Sequence, residues 1–277
     1  MSQVWQQWQA LAASLPHKAL GLAAWLLAMA VVFGLLERRF PVRRQRFLRE
    51  NMAQDVGYYF LGGLLPPFLT VAATAALAWF VSGLVPASFY AWVASLPFAV
   101  RVGAMVLLGD VAFYWAHRWS HENEWLWRLH AVHHSPTELD WLVNTRAHPL
   151  DLVFARAVSA MPIVVLGVRQ GNDGLDAAVA VYLTLTTLWA FFVHTNLKWR
   201  LGWLEQLIVT PAFHHWHHAN MAGTLNKNYA SLFPWIDRVF GTYHLPAQQF
   251  PLSYGADREL PETLGKQLVS PFRRRLG

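Results

Sequence analysis

Long apolar runs, rather than the short alternation of a soluble domain, organise this chain. A helix that crosses a bilayer needs about 20 mostly apolar residues, and residues 19–36 supply such a run between Lys18 and Glu37. Residues 58–86 are a second, 29 residues without a charge, broken by Pro66 and Pro67 into a kinked or re-entrant helix. Residues 96–116 are a third, with Arg101 near the start and Asp110 deep inside. Residues 152–168, marked by Arg156, and 175–193 form a fourth and a fifth, joined as a tight hairpin by the turn-like segment 169–174. Ahead of them Val4, Trp5, Trp8, Leu11, Ala12 and Leu15 recur at helical spacing, which predicts an interfacial amphipathic helix over residues 1–18. The pattern predicts an all-α, polytopic membrane bundle of about four to five transmembrane or re-entrant helices. The membrane domain covers residues 19–245, and a polar, Pro-containing cytoplasmic tail covers 246–277.

Composition supports this. Hydrophobic residues make up 55% and charged residues 14%, where a soluble domain carries about 25% charged. That excludes a disordered chain and argues against an ordinary soluble enzyme. Arg38, Arg39, Arg43, Arg44, Arg46 and Arg49 crowd the loop between the first two runs, a positive-inside signal that puts this loop in the cytoplasm. Counting spans from there returns the chain to the cytoplasm near His117 and again near His194, the same side as Lys198, Arg200 and Arg273–Arg275. The net charge of +6 therefore reads as topology, and no nucleic-acid partner is expected. Residues 1–17 lack the basic n-region and small-residue cleavage site of a signal peptide. Short loops and the lack of organelle signals point to a bacterial inner membrane.

The absence of cysteine excludes disulfides, Fe–S clusters, thiolate zinc sites and cysteine nucleophiles. Histidine is the opposite anomaly: most of the 13 fall into three groups. His117 and His121 form an H-x3-H; His130, His133 and His134 an H-x2-H-H; His214, His217 and His218 a second H-x2-H-H. On a helix, positions i, i+3 and i+4 share a face with Cβ atoms about 5–6 Å apart. His117 and His121 can thus reach one ion, and two facing H-x2-H-H sets can hold two. Neutral imidazole suits iron, copper, zinc and nickel. His194 closes the fifth run on the face where the clusters lie and is a further candidate ligand. His148, in Arg146-Ala-His148-Pro149, is an open case. His215 points about 100° away from His214, which argues against a shared role. Asp110, seven residues before His117, shares its face; it is read as an acceptor that orients a ligand imidazole, or else as a structural partner for Arg101 or a helix terminus.

In that order and spacing, these boxes resemble the fatty acid hydroxylase/sterol desaturase superfamily. Asn144-Thr-Arg146-Ala-His148-Pro149, His194-Thr-Asn196, Asn228-Tyr229 and Asp237-Arg-Val-Phe240-Gly-Thr-Tyr243 extend the resemblance over about residues 110–243. One departure is Ile236 where the family commonly has Trp before that Asp, with Trp235 one place earlier. Three rather than four residues inside the first box favour the sterol desaturase-like branch. The resemblance implies a membrane-bound di-iron oxygenase that hydroxylates or desaturates an unactivated C–H bond of a bilayer lipid (fatty acyl, sterol-like or ether lipid). It would use O2 and two external electrons. It further implies His117, His121, His130, His133, His134, His194, His214, His217 and His218 as ligands of two Fe ions, His148 as a possible addition, and zinc as a substitute in purified protein. No fused electron carrier is evident, so the electrons would come from a separate cytochrome b5-like or ferredoxin-like donor or a reduced pterin. Trp115, Trp119, Trp125, Trp127 and Trp141 could line a lipid entrance or serve as belt residues. The alternative is a zinc-binding membrane protein without redox chemistry, a transporter or hydrolase. Against it, no inverted repeat is evident and no H-E-x-x-H occurs.

Overall fold

The computed structural model describes residues 2–46, 48–66, 69–70, 73, 76, 79–81, 83–166, 177–247 and 249–273. Among these residues the chain is helical, with isolated bridges (Pro41 to Leu197, Ala219 to Tyr254) in place of a sheet. Helix α1 (Ser2–Arg39) runs unbroken through Pro16, so the expected interfacial segment is continuous with the first span. Helix α2 (Met52–Leu64) stops two residues before Pro66, as the Pro66–Pro67 break predicts; half of the segment 65–82 lies outside the described residues. A short α3 (Ala87–Ser95) leads into α4 (Phe98–Glu122), which carries the third run and continues one turn past His117.

The described part of the fourth run is a broken helix rather than a continuous one. It divides into α6 (Pro149–Ser159) and α7 (Met161–Val165) at Ala160, because Pro162 opens a new first turn and cannot continue the α6 ladder. The fifth run is the helix α8 (Ala177–His194), and the turn expected at 169–174 lies outside the described residues. Among the described residues, three helices are long and apolar enough to cross a membrane: Ala13–Arg39, Phe98–Glu122 and Ala177–His194. Their outward side chains need a bilayer: Leu20 and Leu27 on α1 are 70% and 68% exposed. The protein is a polytopic helical membrane protein.

Helix α4 is the hub. It packs against α6, α8 and α5 (Glu124–His134), and its lower half shares a buried cluster of Tyr114, Val193, Val209, Phe213, Tyr229, Ala230 and Ile236. Gly109 is what lets α8 approach, since a Cβ there would collide with the Tyr182 ring. The ends of the spans are stitched together on one face. Glu37 accepts the amides of Trp141 (2.8 Å) and Asn196 (2.9 Å), tying α1 to the 3-10 turn Trp141–Thr145 and to the chain leaving α8. Arg49 joins Asp55 to Asp140, and Arg146 closes on Asp55, a buried network of two cations and two carboxylates. The segment from Pro246 is not a free tail. Tyr254 pairs with Ala219, Gln267 bonds to Tyr58 and Gln54, and α11 (Leu264–Val269) lies against α2.

Candidate metal centre

Three local devices bring the histidines together. Asn123 ends α4 and caps α5, its side chain accepting from the amides of Trp125 (3.0 Å) and Leu126 (3.2 Å). The chain therefore reverses within one residue and faces the second box against the first. Thr210 caps α9 (Pro211–His217), with Pro211 in the first turn, and this helix carries the third box to the same point. The end of α8 delivers His194.

The result is two groups: His117, His121, His130, His134 and His217 in one, and His133, His194, His214 and His218 in the other. Within each, one ring nitrogen per histidine lies within 4.8 Å of the others. Each H-x2-H-H is split between the groups, and helix geometry accounts for this. Residues four apart are rotated about 40° one way and residues three apart about 60° the other. His130 and His134 thus aim one way and His133 another; likewise His214 with His218, against His217. Rings from the two groups meet where His134 stacks on His218, at a centroid distance of 4.4 Å.

The outer nitrogens fix the tautomers. His117 Nδ1 bonds to the Tyr229 carbonyl (2.8 Å), His133 Nδ1 to Arg146 O (3.0 Å), His194 Nδ1 to Ala190 O (2.7 Å) and His217 Nδ1 to Lys227 O (2.8 Å). His130 Nδ1 donates to Asp151 Oδ2 at 2.9 Å. A carbonyl only accepts, so Nδ1 carries the proton in these rings and Nε2 presents a lone pair inward. In the second group the Nε2 atoms of His133 and His194 are 3.2 Å apart, His194 and His214 2.9 Å, His194 and His218 3.3 Å. The first of these pairs sets two lone pairs face to face, which a hydrogen bond cannot reconcile and a cation can. Nitrogen ligands about 2.1 Å from one ion lie about 3.0–3.4 Å from each other, and the observed separations match. In the first group Nε2 of His121, His130, His134 and His217 is buried with no hydrogen-bond partner among the described residues.

Electrostatics agree with neutral, metal-ready imidazoles. Burial, with His130 adding to it, pushes His133 down to about 3, and burial holds His134, His214, His217 and His218 well below the usual histidine range. Asp151 shows the opposite balance. Burial would raise it, but His130 above all, then His133 and His117, holds it below its ordinary value.

Two expected site residues do not join the groups. His148 caps α6, its Nδ1 accepting from Leu150 N (3.2 Å) while Nε2 bonds to Leu268 O (3.1 Å). Asp110 touches no imidazole among the described residues. Its carboxylate instead accepts the amides of Ser231 (2.8 Å), Leu232 (3.1 Å) and Phe233 (2.7 Å). From the other side Asp237, on α10 (Pro234–Val239), accepts from Tyr229 N (2.7 Å), Ala230 N (2.9 Å) and the Thr242 hydroxyl (2.7 Å). The two acids thus hold the strand of chain whose Tyr229 carbonyl orients His117, so Asp110 acts one step removed from the ring. His215 lies outside both groups, as its direction predicts, bonded to Tyr254 Oη and Thr195 O. Sequence reasoning missed Asp151, and it named Asp237 within a matching segment without reading its role. Asp151 carried a visible signal, an acid at the head of an apolar run, the same feature that drew attention to Asp110.

Beside the histidines lies a cavity of about 770 Å³. Its wall combines Leu22, Trp25, Tyr58, Leu152, Ile163 and Phe191 with the inner faces of His117, His130, His133, His194 and His214. Of the tryptophans read as either entrance or belt residues, none lines this cavity. Trp141 is core against Phe33 and Phe191, Trp127 packs on His121 at 4.9 Å, and Trp119 and Trp125 are exposed. Ile236, at the place where the sequence departs from the family pattern, is buried in the core.

Comparison with known proteins agrees with this geometry. An ornithine lipid hydroxylase of Rhizobium tropici is 28% identical over 257 residues, covering 90% of this chain and 75% of the relative. An alkylglycerol monooxygenase of Danio rerio is 33% identical over 135 residues, 48% of this chain but 28% of the relative. A methylsterol monooxygenase of Arabidopsis thaliana is 28% identical over 152 residues, 53% of this chain and 55% of the relative. No solved structure matches. The fatty acid hydroxylase family model matches residues 102–242, half of the chain and the part that holds all nine clustered histidines. The chain belongs to the fatty acid hydroxylase family, within the fatty acid hydroxylase/sterol desaturase superfamily.

Proposed function

We propose that this protein is an O2-dependent lipid oxygenase that inserts oxygen into, or desaturates, an unactivated C–H position of a bilayer lipid. The observation that carries the reading is the meeting of nine clustered imidazoles with an apolar cavity large enough for a lipid chain. Two Fe ions fit the two histidine groups. Bound iron supplies the reduction of O2 by two external electrons and the attack on the C–H bond, which side chains alone cannot provide. Hydroxylation consumes O2, two electrons and two protons and yields the alcohol and one water; desaturation yields the alkene and two waters.

The protein's part is positioning. His117, His130, His133, His194 and His217 are each held in one tautomer by an acceptor on the outer side, so their Nε2 lone pairs are preorganised before metal binds. Asp151 anchors His130, and Asp110 with Asp237 fixes the carbonyl that anchors His117. The cavity walls keep the reacting chain out of water and hold it beside His117, His130, His133, His194 and His214. In this reading the arginine-rich loop at 37–49, the histidines and the C-terminal segment face the cytoplasm of a bacterial inner membrane. Electrons then come from a separate cytochrome b5-like or ferredoxin-like protein or a reduced pterin.

The test is O2 uptake by iron-loaded protein given a reductant and a total lipid extract, followed by mass spectrometry of the lipids. Lipid-dependent O2 consumption with a product about 16 mass units heavier or 2 lighter supports the reading. Neither product, with iron bound and reductant present, would refute it.

A further inference from the structure

The cavity beside the histidines contains a cation, Arg156, that no carboxylate among the described residues neutralises. On α6, Leu152, Ala155, Arg156 and Ser159 form a single cavity-facing stripe at helical spacing. Arg156 is exposed along that stripe, and its hydrogen bonding among the described residues is one long contact from Nη1 to Gly62 O of α2, at 3.4 Å. Among the described residues no carboxylate pairs with it. The two acids in the cavity wall are committed elsewhere, Asp151 to His130 and Asp110 to three backbone amides. A guanidinium does not shed its proton, and an uncompensated ion among apolar groups is costly enough to demand a partner. Its planar fork matches the two oxygens of a carboxylate or phosphate. The Asn144 amide and the Tyr182 hydroxyl also line this cavity, with no side-chain hydrogen bond to the described residues. Position adds a constraint. Asp151, which bonds to His130, precedes Arg156 by five residues on the same helix, about 7.5 Å along its axis. A lipid anion held at Arg156 therefore lies close to the histidine groups.

We propose that Arg156 binds an anionic oxygen group, carboxylate or phosphate, on the lipid whose chain occupies this cavity. The preferred substrate is then a lipid whose negative charge lies near the oxidised carbon. This rests on the cavity being the lipid site of the oxygenase proposed above, and it names the substrate class of that site.

The experiment compares wild type, Arg156→Gln and Arg156→Lys in neutral detergent micelles. The probes are three radiolabelled lipids of matched chain length: an N-acyl amino acid with a free carboxylate, a phosphatidic acid and an uncharged diacylglycerol. Binding is measured on metal-stripped protein. Wild type is expected to prefer one anionic lipid over the neutral one by about tenfold or more. Which of the two is bound tighter identifies the group recognised. Arg156→Gln is expected to abolish the preference while leaving neutral-lipid binding unchanged, which also verifies its fold. Arg156→Lys, keeping charge but losing the fork, is expected to retain an intermediate preference. In turnover, Arg156→Gln is expected to raise KM for the anionic lipid and leave kcat within about twofold. An unchanged preference in Arg156→Gln, or no preference in wild type, overturns the proposal; if the glutamine variant fails to fold, full wild-type affinity in Arg156→Lys overturns it. The binding arm needs neither metal nor O2, so the two readings fail separately. Arg156-dependent anion binding without lipid oxidation would refute only the oxygenase, and oxidation of all three lipids at equal KM only the role of Arg156.

Discussion

Removing the carboxylate of Asp151 isolates the contribution of one outer contact to the candidate metal centre. Asp151 is 5% exposed and accepts from His130 Nδ1 at 2.9 Å, with Ser120 Oγ at 3.4 Å on its other oxygen. In Asp151→Ala the imidazole loses the acceptor that fixes its tautomer and the negative charge that strengthens its Nε2 as a ligand. Such losses lower metal affinity about 10–100-fold, or about 1.4–2.7 kcal/mol at 1.4 kcal/mol per decade. Asp151→Asn keeps an acceptor oxygen in place and removes only the charge, so it is expected at the lower end, near tenfold. The assay is competition for Fe(II) against a chelator of known affinity. Glu259→Gln serves as control, because Glu259 is exposed and bonds to none of the clustered histidines. Metal affinity in Asp151→Ala within twofold of wild type would refute the reasoning that this contact tunes the centre.

Further expectations concern the frame around the centre. Asp110→Asn replaces an acceptor of three amides by a group that also donates, so thermal unfolding in detergent is expected to lose about 2–3 kcal/mol; an unchanged Tm would show that the 231–233 strand is held without it. Arg49→Ala leaves the buried carboxylates of Asp55 and Asp140 short of a cation and is expected to cost about 3–5 kcal/mol, read the same way. Gly109→Ala drives a methyl group into Tyr182 and is expected to cost about 1–3 kcal/mol. For metal-stripped protein, acid lability follows from the depressed histidines. The unfolded chain takes up protons near pH 6.5 and His133 in the folded state only near 3, so stability is intact above about pH 6.5 and falls as pH decreases. The slope is up to about 1.4 kcal/mol per pH unit for each such imidazole, and a flat Tm between pH 7 and 5 would contradict it.

What was legible in the sequence was whatever is written locally. The uncharged run at 19–36 and the apolar run around Asp110 became spans, because a helix of that length satisfies its own backbone in a bilayer. The histidine spacings marked the candidate ligands for the same reason, but they read each H-x2-H-H as one set, which the structure splits between two groups. A three-and-four repeat on a helix fixes which rings diverge, and the structure divides His130 and His134 from His133 on that basis. Contacts between distant segments left no local trace. That Asp110 would bind backbone amides 121 or more positions later, rather than a ring seven residues away, results from how the strand after Asn228 folds over α4. His148 was ambiguous since a capping histidine and a ligand look alike beside a proline. The segment beyond Pro246 read as a tail because its anchors, Tyr254 to His215 and Gln267 to Tyr58, are single polar pairs without periodicity. In the fourth run hydropathy marked an apolar segment but not its break, which Pro162 sets at Ala160.

The central claim, that the two histidine groups form a two-iron centre, is most directly tested by titrating Fe(II) anaerobically into metal-stripped wild-type protein and counting tightly bound ions per chain. The account predicts two for wild type, and a loss of tight sites in both His217→Ala and His133→Ala, which each remove a ligand from a different group. Binding of one ion or none in wild type, or two tight ions in both variants, would contradict it.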